Sequence, residues 1–340
     1  MGGMAGLAEA ARGVALRFEG YTPPVYKEHW QLPVGTCAAY LAGVWATKRW
    51  AAARAARGEK PLSLKWMLVA HNFMLSAGSL ALWSMMVASL ATRWARVENL
   101  HGFICSKELI KPGFLWALYF ANYVFKFYEL LDTFFLAARN KPTPFLHVYH
   151  HPATLLLVYV SMTEELGVQW LPVVINLFVH IIMYYYYGLQ ALGIRVWWKQ
   201  CVTALQILQF VVDLVGIYYA VGYRMVFGPQ FCVGTDYGAA VGVGIISSYL
   251  LLFVQFYIDT YNAKKKKAKK AKAENSPAEL NGHGVAVIGN GNGLTHRSPA
   301  NGGAANGNGT HNGNGTHHNG NGAHNGNGAL GGNGEFKKQR

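Results

Sequence analysis

Seven long apolar stretches are the feature that most restricts how this chain folds. A helix needs about 20 apolar residues to cross a bilayer. The stretches cover roughly 32–47, 66–91, 113–138, 145–162, 168–188, 202–222 and 239–260. Only 14% of the 340 residues are charged, whereas soluble domains carry about 25%. The sequence therefore predicts an all-α polytopic membrane protein, with seven transmembrane helices in a closed bundle around a tunnel.

The basic residues predict the orientation of this bundle. If the N-terminus lies in the lumen, the segments on the cytosolic side carry seventeen Lys and Arg residues and the luminal segments carry eight. Cytosolic loops of membrane proteins are enriched in Lys and Arg. We therefore expect a luminal N-terminal segment, residues 1–31, a membrane domain, residues 32–262, and a cytosolic C-terminus. The N-terminal segment lacks the apolar core of a cleaved signal peptide.

The formal net charge of +14 does not indicate nucleic-acid binding. Seven positive charges fall in one run, Lys264–Lys272, directly after the last apolar stretch. Such a run is typical of the cytosolic end of a membrane helix. The segment 263–340 then becomes rich in Asn and Gly, and we expect it to be disordered.

Short signals in this C-terminal tail favour the endoplasmic reticulum (ER). The chain ends in Lys337-Lys338-Gln339-Arg340, which is similar to a cytosolic dilysine retrieval signal. Asn308 and Asn314 match the glycosylation pattern, but the predicted topology places them in the cytosol, so we expect neither to be glycosylated.

The spacing of the four cysteines does not indicate a metal site or a set of disulfides. Cys37, Cys105, Cys201 and Cys232 are scattered and show no CxxC spacing. They predict neither a zinc site nor a disulfide framework.

Four groups of polar residues interrupt the apolar stretches. Ionisable residues inside a membrane are costly unless paired or hydrated, so each marks a candidate functional site. Within each group, spacings of three or four residues predict one shared helix face. The groups are Lys126, Glu129, Asp132 and Thr133; His147, His150 and His151; Asn176, His180, Met183, Tyr184 and Tyr187; and Thr203, Gln206 and Gln209.

A structural role remains open for part of this set. Lys126 and Glu129 can form an ion pair that holds the bundle together, and the Thr203–Gln209 group can bond between helices. Tyr185 and Tyr186 fit the belt of tyrosines found at membrane interfaces. Three histidines on one helix face are more typical of a reaction centre than of a structural contact.

The predicted topology brings the four groups together. The third and fifth stretches run towards the cytosol, and the fourth and sixth start from it. We therefore expect one cavity that opens to the cytosol and narrows towards an apolar luminal end. That shape suits a substrate with a large polar head and a long alkyl tail.

At these residues the sequence resembles the ELO family of very-long-chain fatty-acid elongases. The resemblance covers about residues 25–265, and it is specific because four motifs occur together in the family order. It implies the condensing step of elongation, in which a long-chain acyl-CoA and malonyl-CoA give a 3-oxoacyl-CoA, CO2 and CoA. The motifs are KxxExxDT at Lys126–Thr133, HxxHH at His147–His151, NxxxHxxMYxYY at Asn176–Tyr187 and TxxQxxQ at Thr203–Gln209.

For this reaction we expect His150 to be the nucleophile, with His151 and His147 as alternatives and His180 as its partner. A neutral imidazole attacks a thioester, and the acyl-imidazole stays reactive. Asp132 or Glu129 would orient an imidazole, whereas Cys201 is disfavoured as a nucleophile. Substrate contacts are expected from Lys126, Thr133, Asn176, Tyr184, Tyr187, Thr203, Gln206 and Gln209.

The resemblance also implies partners. Acyl-CoA and malonyl-CoA are the substrates, ER lipids surround the protein, and the reductases and dehydratase of the elongation cycle act beside it. No cofactor, metal ion or nucleic acid is expected, and a homodimer is compatible with the sequence. The form Phe145-Leu-His-Val-Tyr-His-His favours polyunsaturated acyl chains, while chain length stays open.

Two other classes fit part of the pattern. Membrane di-iron desaturases and hydroxylases also use HxxHH, but they need histidines in several clusters. Here His29, His71 and His101 are expected to be luminal or isolated. A seven-helix receptor or transporter explains the number of stretches but not the clustered histidines.

Overall fold

All regular secondary structure in the described part of the chain is helical, which confirms the predicted fold class for that part. A computed structural model describes Gly13, residues 17–97 and residues 99–262. The α-helices of this part are α1 (Gln31–Ala56), α2 (Lys65–Val97), α3 (Leu100–Cys105), α4 (Phe114–Glu129), α5 (Leu131–Ala138), α6 (Phe145–Thr163), α7 (Trp170–Leu192), α8 (Lys199–Phe227) and α9 (Asp236–Tyr257). Shorter 3-10 helices are Lys27–His29, Lys107–Ile110, Gly167–Gln169 and Pro229–Phe231, and a π-helix is Ile258–Asn262.

Every predicted apolar stretch coincides with a long helix, except that two helices cover 113–138. There α4 ends at Glu129 and α5 begins at Leu131, so the third stretch is interrupted at Leu130. Four helical segments are long and apolar enough to cross a membrane, and the count of seven spans stays a prediction. These segments are Lys65–Trp94, Gly167–Leu192, Lys199–Phe227 and Asp236–Asn262.

The predictions for the tail concern residues outside the described part. This applies to the basic run Lys264–Lys272, the Asn/Gly-rich segment with Asn308 and Asn314, and the dilysine-type end. Most of the N-terminal segment before residue 17 is also outside it.

Single residues define several helix ends. Asn99 begins α3, and its side-chain oxygen accepts a hydrogen bond from the Gly102 amide at 2.7 Å. Thr235 caps α9 in the same way through Gly238, at 3.0 Å. Gly193 ends α7 in the left-handed conformation that favours glycine, with φ 92°. These residues determine where α7 ends and where α9 begins.

Six helices form a closed ring. Around it, α2 packs on α7, α7 on α8, α8 on α9, α9 on α6, α6 on α4, and α4 back on α2. At the α2–α7 contact, a Cβ atom on Gly188 would lie 3.0 Å from the Phe73 ring, so glycine permits the close approach. Helix α1 packs on α5 and α6. The ring is therefore complete with six helices, whereas the sequence predicted a bundle closed by seven.

A disulfide joins two distant segments at one end of the ring. Cys105, at the end of α3, is bonded to Cys232, which lies between α8 and α9, 127 residues later. The cysteine spacing did not indicate this bond, because spacing along the chain does not reveal which loops meet. We call this the disulfide end. The opposite end, which contains the turns 57–64, 139–144 and 193–198, is the histidine end.

Candidate active site

The helix that carries HxxHH has a proline in its second turn. Pro152 has no N–H group, so the Val148 carbonyl loses its partner within α6. The Tyr40 hydroxyl, from α1, donates to that carbonyl at 3.4 Å and lies 2.7 Å from Thr133 Oγ1. Tyr40 thereby ties α6 to α5 beside the three histidines.

The backbone of His150 is held from the other side. The hydroxyls of Thr154 and Tyr249 donate to its carbonyl oxygen at 2.8 and 3.1 Å. Its ring lies against the Tyr249 ring, with centroids 4.6 Å apart. Its Nδ1 atom is buried and has no hydrogen-bond partner in the described part of the chain. The ring is therefore fixed while a ring nitrogen stays available to a substrate.

Four side chains form a closed set of polar contacts that we call the Glu129 cluster: Lys126, Glu129, Asn176 and His180. Lys126 Nζ donates to the two Glu129 oxygens at 2.9 and 3.1 Å and to Asn176 Oδ1 at 2.8 Å. Asn176 Nδ2 lies 3.2 Å from His180 Nε2, and His180 Nδ1 lies 3.2 Å from Glu129 Oε1. The predicted Lys126–Glu129 pair is thus present, and each buried charge has an opposite partner.

A second set, the Asp132 cluster, contains His71, Asp132, His151 and Tyr184. His71 Nε2 lies 2.5 Å from Asp132 Oδ1, and the Tyr184 hydroxyl donates to Asp132 Oδ2 at 2.8 Å. His151 Nε2 lies 3.9 Å from the same oxygen. The other ring nitrogen of His71 lies 3.2 Å from the Tyr128 hydroxyl. Asp132 therefore links three elements, α2, α6 and α7, through one carboxylate.

His71 is a site residue that the motifs did not reveal. It is 3% exposed and lies in the second turn of α2, at the histidine end. The expectation that it is isolated is wrong. Its position six residues after Lys65, within an apolar stretch, was a usable signal, because an ionisable side chain inside a membrane helix needs a partner.

One cavity inside the ring brings together a residue from each of the four motifs. Lys126, His150, Asn176 and Gln209 all line it. The space between the atoms is about 590 Å³. One residue of each predicted group therefore lines this cavity, and of the three HxxHH histidines this residue is His150.

A second cavity adjoins the first on the side of the disulfide end. Its wall includes Arg224 and Thr235, near the end of α8 and the start of α9. The two cavities share Leu157, Ser161, Gln169, Pro172 and Ile246. These adjoining cavities extend from the histidine cluster towards the disulfide end, and we call the two together the tunnel.

The lower part of this tunnel differs from the prediction of an apolar end. Besides apolar residues and Ser161, four polar side chains with larger polar groups line the first cavity at or beyond the level of the Glu129 cluster. They are Tyr119, Asn122, Gln169 and Asp213.

Several residues predicted to contact the substrate have protein partners. Thr203 Oγ1 lies 3.3 Å from the Tyr261 hydroxyl, and the Gln206 amide lies 3.3 Å from the sulfur of Met183. Thr133 is fully buried against Tyr40.

The last turns of α7 present their tyrosines differently from the predicted pattern. Tyr187, expected on the site face, is 42% exposed, whereas Tyr186, expected in the interfacial belt, is 3% exposed. Tyr186 packs on Trp198, with ring centroids 5.5 Å apart. Trp198 reaches it because the chain turns back after Gly193.

The remaining histidines of the membrane region lie apart from both clusters. His29 packs on Tyr26, and His101 packs on Tyr219 and Tyr223. Across residues 17–97 and 99–262, no three His, Cys, Asp or Glu side chains are placed to hold one metal ion.

The fold and the site define a class: a helical membrane protein with a histidine–carboxylate centre inside a ring of helices. The family model of the GNS1/SUR4 (ELO) family matches residues 25–270. The chain belongs to this family.

Curated relatives carry matching names. The chain is 41% identical over 228 residues to "Putative fatty acid elongase 1" of Schizosaccharomyces pombe, covering 64% of this chain and 68% of that protein. It is 33% identical to "Fatty acid elongase A" of Dictyostelium discoideum, covering 63% and 79%. It is 31% identical to "Very long chain fatty acid elongase 5" of Homo sapiens, covering 74% and 83%.

The position of His71 leads to a first prediction. We expect His71→Phe to lower kcat by about tenfold to a hundredfold, because Asp132 loses the donor that fixes its carboxylate and small misplacements of catalytic groups are costly. His71→Gln should restore part of the rate, since its amide nitrogen reaches the place of Nε2. The KM for acyl-CoA should change little, because His71 lies outside the tunnel wall.

The matched control is His101→Phe, the same substitution at a histidine near the disulfide end. Initial rates and thermal unfolding would be measured for each purified variant. If His71→Phe keeps the wild-type kcat while only its thermal stability falls, His71 has a purely structural role.

Proposed function

We propose that this protein is a very-long-chain 3-oxoacyl-CoA synthase that condenses malonyl-CoA with a long-chain acyl-CoA. Fatty-acid elongation is the activity named for each relative above, and family membership extends it to this chain. The observation that carries the proposal is the single cavity lined by Lys126, His150, Asn176 and Gln209. It joins a nucleophile and several hydrogen-bonding groups to a long, mostly apolar tunnel.

His150 is the proposed nucleophile in the first half of the reaction. A ring nitrogen attacks the acyl thioester carbon, the C–S bond breaks, and CoA leaves after taking up the proton that the imidazole releases. The tunnel beyond His150 holds the acyl chain. Thr154 and Tyr249 keep the His150 backbone in place during the attack.

The second half needs a carbanion equivalent at C2 of malonyl-CoA. Loss of CO2 leaves the electrons of the broken C–C bond in an enolate. The enolate carbon attacks the acyl-imidazole carbon, the C–N bond breaks, and the imidazole regains a proton. Negative charge on the enolate oxygen requires fixed donors, and the Lys126 ammonium and Asn176 amide of the Glu129 cluster line the cavity where it would form.

A chain-extension assay tests the proposal. Membranes containing the protein should convert radiolabelled malonyl-CoA and a long-chain acyl-CoA into a 3-oxoacyl-CoA two carbons longer. Membranes with an inactive variant serve as the control. Absence of malonyl-dependent extension across saturated, monounsaturated and polyunsaturated acyl-CoAs would contradict the assignment.

We also propose that the protein lies in the ER membrane with the histidine end in the cytosol. The turns at the histidine end contain basic residues such as Lys60, Arg139 and Arg195, which favour the cytosolic side. Disulfides persist in oxidising compartments, so the Cys105–Cys232 bond supports a luminal disulfide end. The basic residues and the disulfide thus support the same orientation independently of each other. Glycosylation of an acceptor site inserted in 107–113, but not in 139–144, would be the expected result.

We also propose how many helices of the enzyme cross the membrane and which enzymes act with it. Seven helical segments, counting α4 and α5 together, would span the bilayer. The 3-oxoacyl product requires a reductase, a dehydratase and a second reductase, which we propose as working partners. A homodimer and the acceptance of polyunsaturated chains remain part of the proposal.

A further inference from the structure

The tunnel carries, at the level of the Glu129 cluster and beyond it, buried polar atoms that have no hydrogen-bond partner among the described residues. They are the Tyr119 hydroxyl, Asn122 Oδ1, Gln169 Nε2 and both carboxyl oxygens of Asp213. We call these four residues the polar subsite. Their exposed fractions are 1%, 1%, 3% and 0%, in that order. Because about 90% or more of buried polar groups in proteins are paired, four such residues on one cavity wall indicate a missing partner.

The subsite lies just beyond the reaction centre, on three sides of the tunnel. Asn122 and Tyr119 precede Lys126 on α4 by four and seven residues, which is about 6 and 10 Å along a helix. Gln169 precedes Asn176 by seven residues, at the base of α7. Lys126 and Asn176 are in contact, so Tyr119 and Gln169 lie at similar depths.

Asp213 lies on the third side, on α8. Gln206, seven residues earlier, contacts Met183, and Asn176 is seven residues before Met183 on the neighbouring helix. Asp213 is therefore about level with Asn176, at the top of the subsite. The Gln209 amide approaches its carboxyl group but leaves both oxygens outside hydrogen-bond geometry.

An unmodified alkyl chain is a poor occupant of this stretch. Water can pair with these atoms while the tunnel is empty. A saturated chain would displace that water without replacing its hydrogen bonds, and such displacement costs binding free energy. A substrate whose chain carries a hydrogen-bonding group at this depth avoids the cost.

We propose that the polar subsite binds a hydroxyl group on the acyl chain, and that the enzyme elongates chains hydroxylated at this depth in preference to their saturated parents. This inference rests on the proposed function. A hydroxyl both donates and accepts, so, depending on its position along the chain, it can pair with Asp213 in either protonation state, donate to Asn122 Oδ1 or accept from Gln169 Nε2. The hydroxyl takes no part in the chemistry and stays on the extended product.

Other chain modifications match the subsite less well. A carbon–carbon double bond accepts only weak hydrogen bonds and donates none, so it leaves the Asn122 oxygen unpaired. A negatively charged group on the chain would need an opposite charge, and the polar subsite contains no basic residue.

The test is a positional series of acyl-CoAs of one chain length. The parent is saturated, one member carries a cis double bond, and the others carry a single hydroxyl at successive carbons. Full-length protein in membranes is supplied with each acyl-CoA and malonyl-CoA, and kcat/KM is measured. We expect at least one hydroxylated isomer to exceed the parent by about tenfold, because one satisfied buried hydrogen bond is worth about that much.

Variants of the polar subsite test whether these residues cause the preference for the hydroxylated chain. Asp213→Leu should raise kcat/KM for the saturated parent and reduce the advantage of the hydroxylated isomer to about twofold or less. Gln169→Leu is the second variant, which decides the matter if Asp213→Leu does not fold. Asp259→Leu, the same substitution at an exposed carboxylate outside the tunnel, should keep the wild-type preference.

The outcomes separate the two proposals. If the saturated parent is extended but no hydroxylated isomer exceeds it, the subsite inference is wrong. It is also wrong if the preference survives in both Asp213→Leu and Gln169→Leu, or if the unsaturated chain alone is preferred. If no acyl-CoA is extended at all, the proposed function fails and the inference fails with it.

Discussion

His150→Ala is expected to abolish condensation, lowering the rate by about a thousandfold or more, as loss of a catalytic nucleophile does in other enzymes. The reason is that His150 is the HxxHH histidine that lines the tunnel and keeps an unpartnered ring nitrogen. Wild-type protein mixed with acyl-CoA alone should gain the mass of one acyl group, and peptide mapping should place it on His150. The His150→Ala protein should gain no such mass.

His101→Ala provides the matched control, since it removes a histidine that packs on Tyr219 and Tyr223 away from the tunnel. Its condensation rate should stay near that of the wild type. If wild-type protein forms no adduct, and kinetics require both substrates to be bound together, the covalent mechanism is wrong. An adduct on His147 or His151 would instead identify that histidine, on the same helix, as the nucleophile.

A large loss of stability is also expected when the charges of the Glu129 cluster lose their partners. Lys126→Met leaves the Glu129 carboxylate with His180 alone, and Glu129→Leu leaves the Lys126 ammonium with only the Asn176 amide. Removing one partner of a buried ion pair typically costs about 3–5 kcal/mol. The double variant, Lys126→Met with Glu129→Leu, should be markedly more stable than either single variant, because no charge is left uncompensated.

Thermal unfolding in detergent would measure these differences, and all three variants should be inactive. Lys111→Met is the matched control, because Lys111 pairs with Glu108 at the same i, i+3 spacing but is 60% exposed. Exposed pairs contribute about 0–1 kcal/mol, so this variant should unfold near the wild-type temperature. If the double variant is as unstable as the sum of the single variants, the two charges are not coupled and the structural argument is wrong.

The helices and the shared cavity were predictable from the sequence. Apolar stretches of bilayer length leave few alternatives to helices, since backbone groups in a membrane must be paired internally. The four motifs could be expected to meet because their polar faces fall at similar depths once the topology is assigned. The interruption at Leu130 was not predictable, because Glu129–Thr133 continues the helical spacing without a glycine or proline.

Features that depend on contacts between distant segments were not predictable. His71 has no neighbouring polar residues at helical spacing, so its link to Asp132 emerges only when α2 packs beside α5 and α7. Asp213 is a single acidic residue in an apolar stretch, and its exposure to the tunnel depends on the rotation of α8. The Cys105–Cys232 bond depends on which loops meet at one end of the ring.

That disulfide also limits when, during synthesis of the chain, the two segments can be joined. The bond spans 127 residues, from the end of α3 to the turn after α8. A nascent chain must insert α4 to α8 while Cys105 is still a thiol, since its partner has not yet been made. The bond can therefore form only after most of the ring has been made, and in chains stopped before residue 232 the Cys105 thiol should remain open to thiol-modifying reagents.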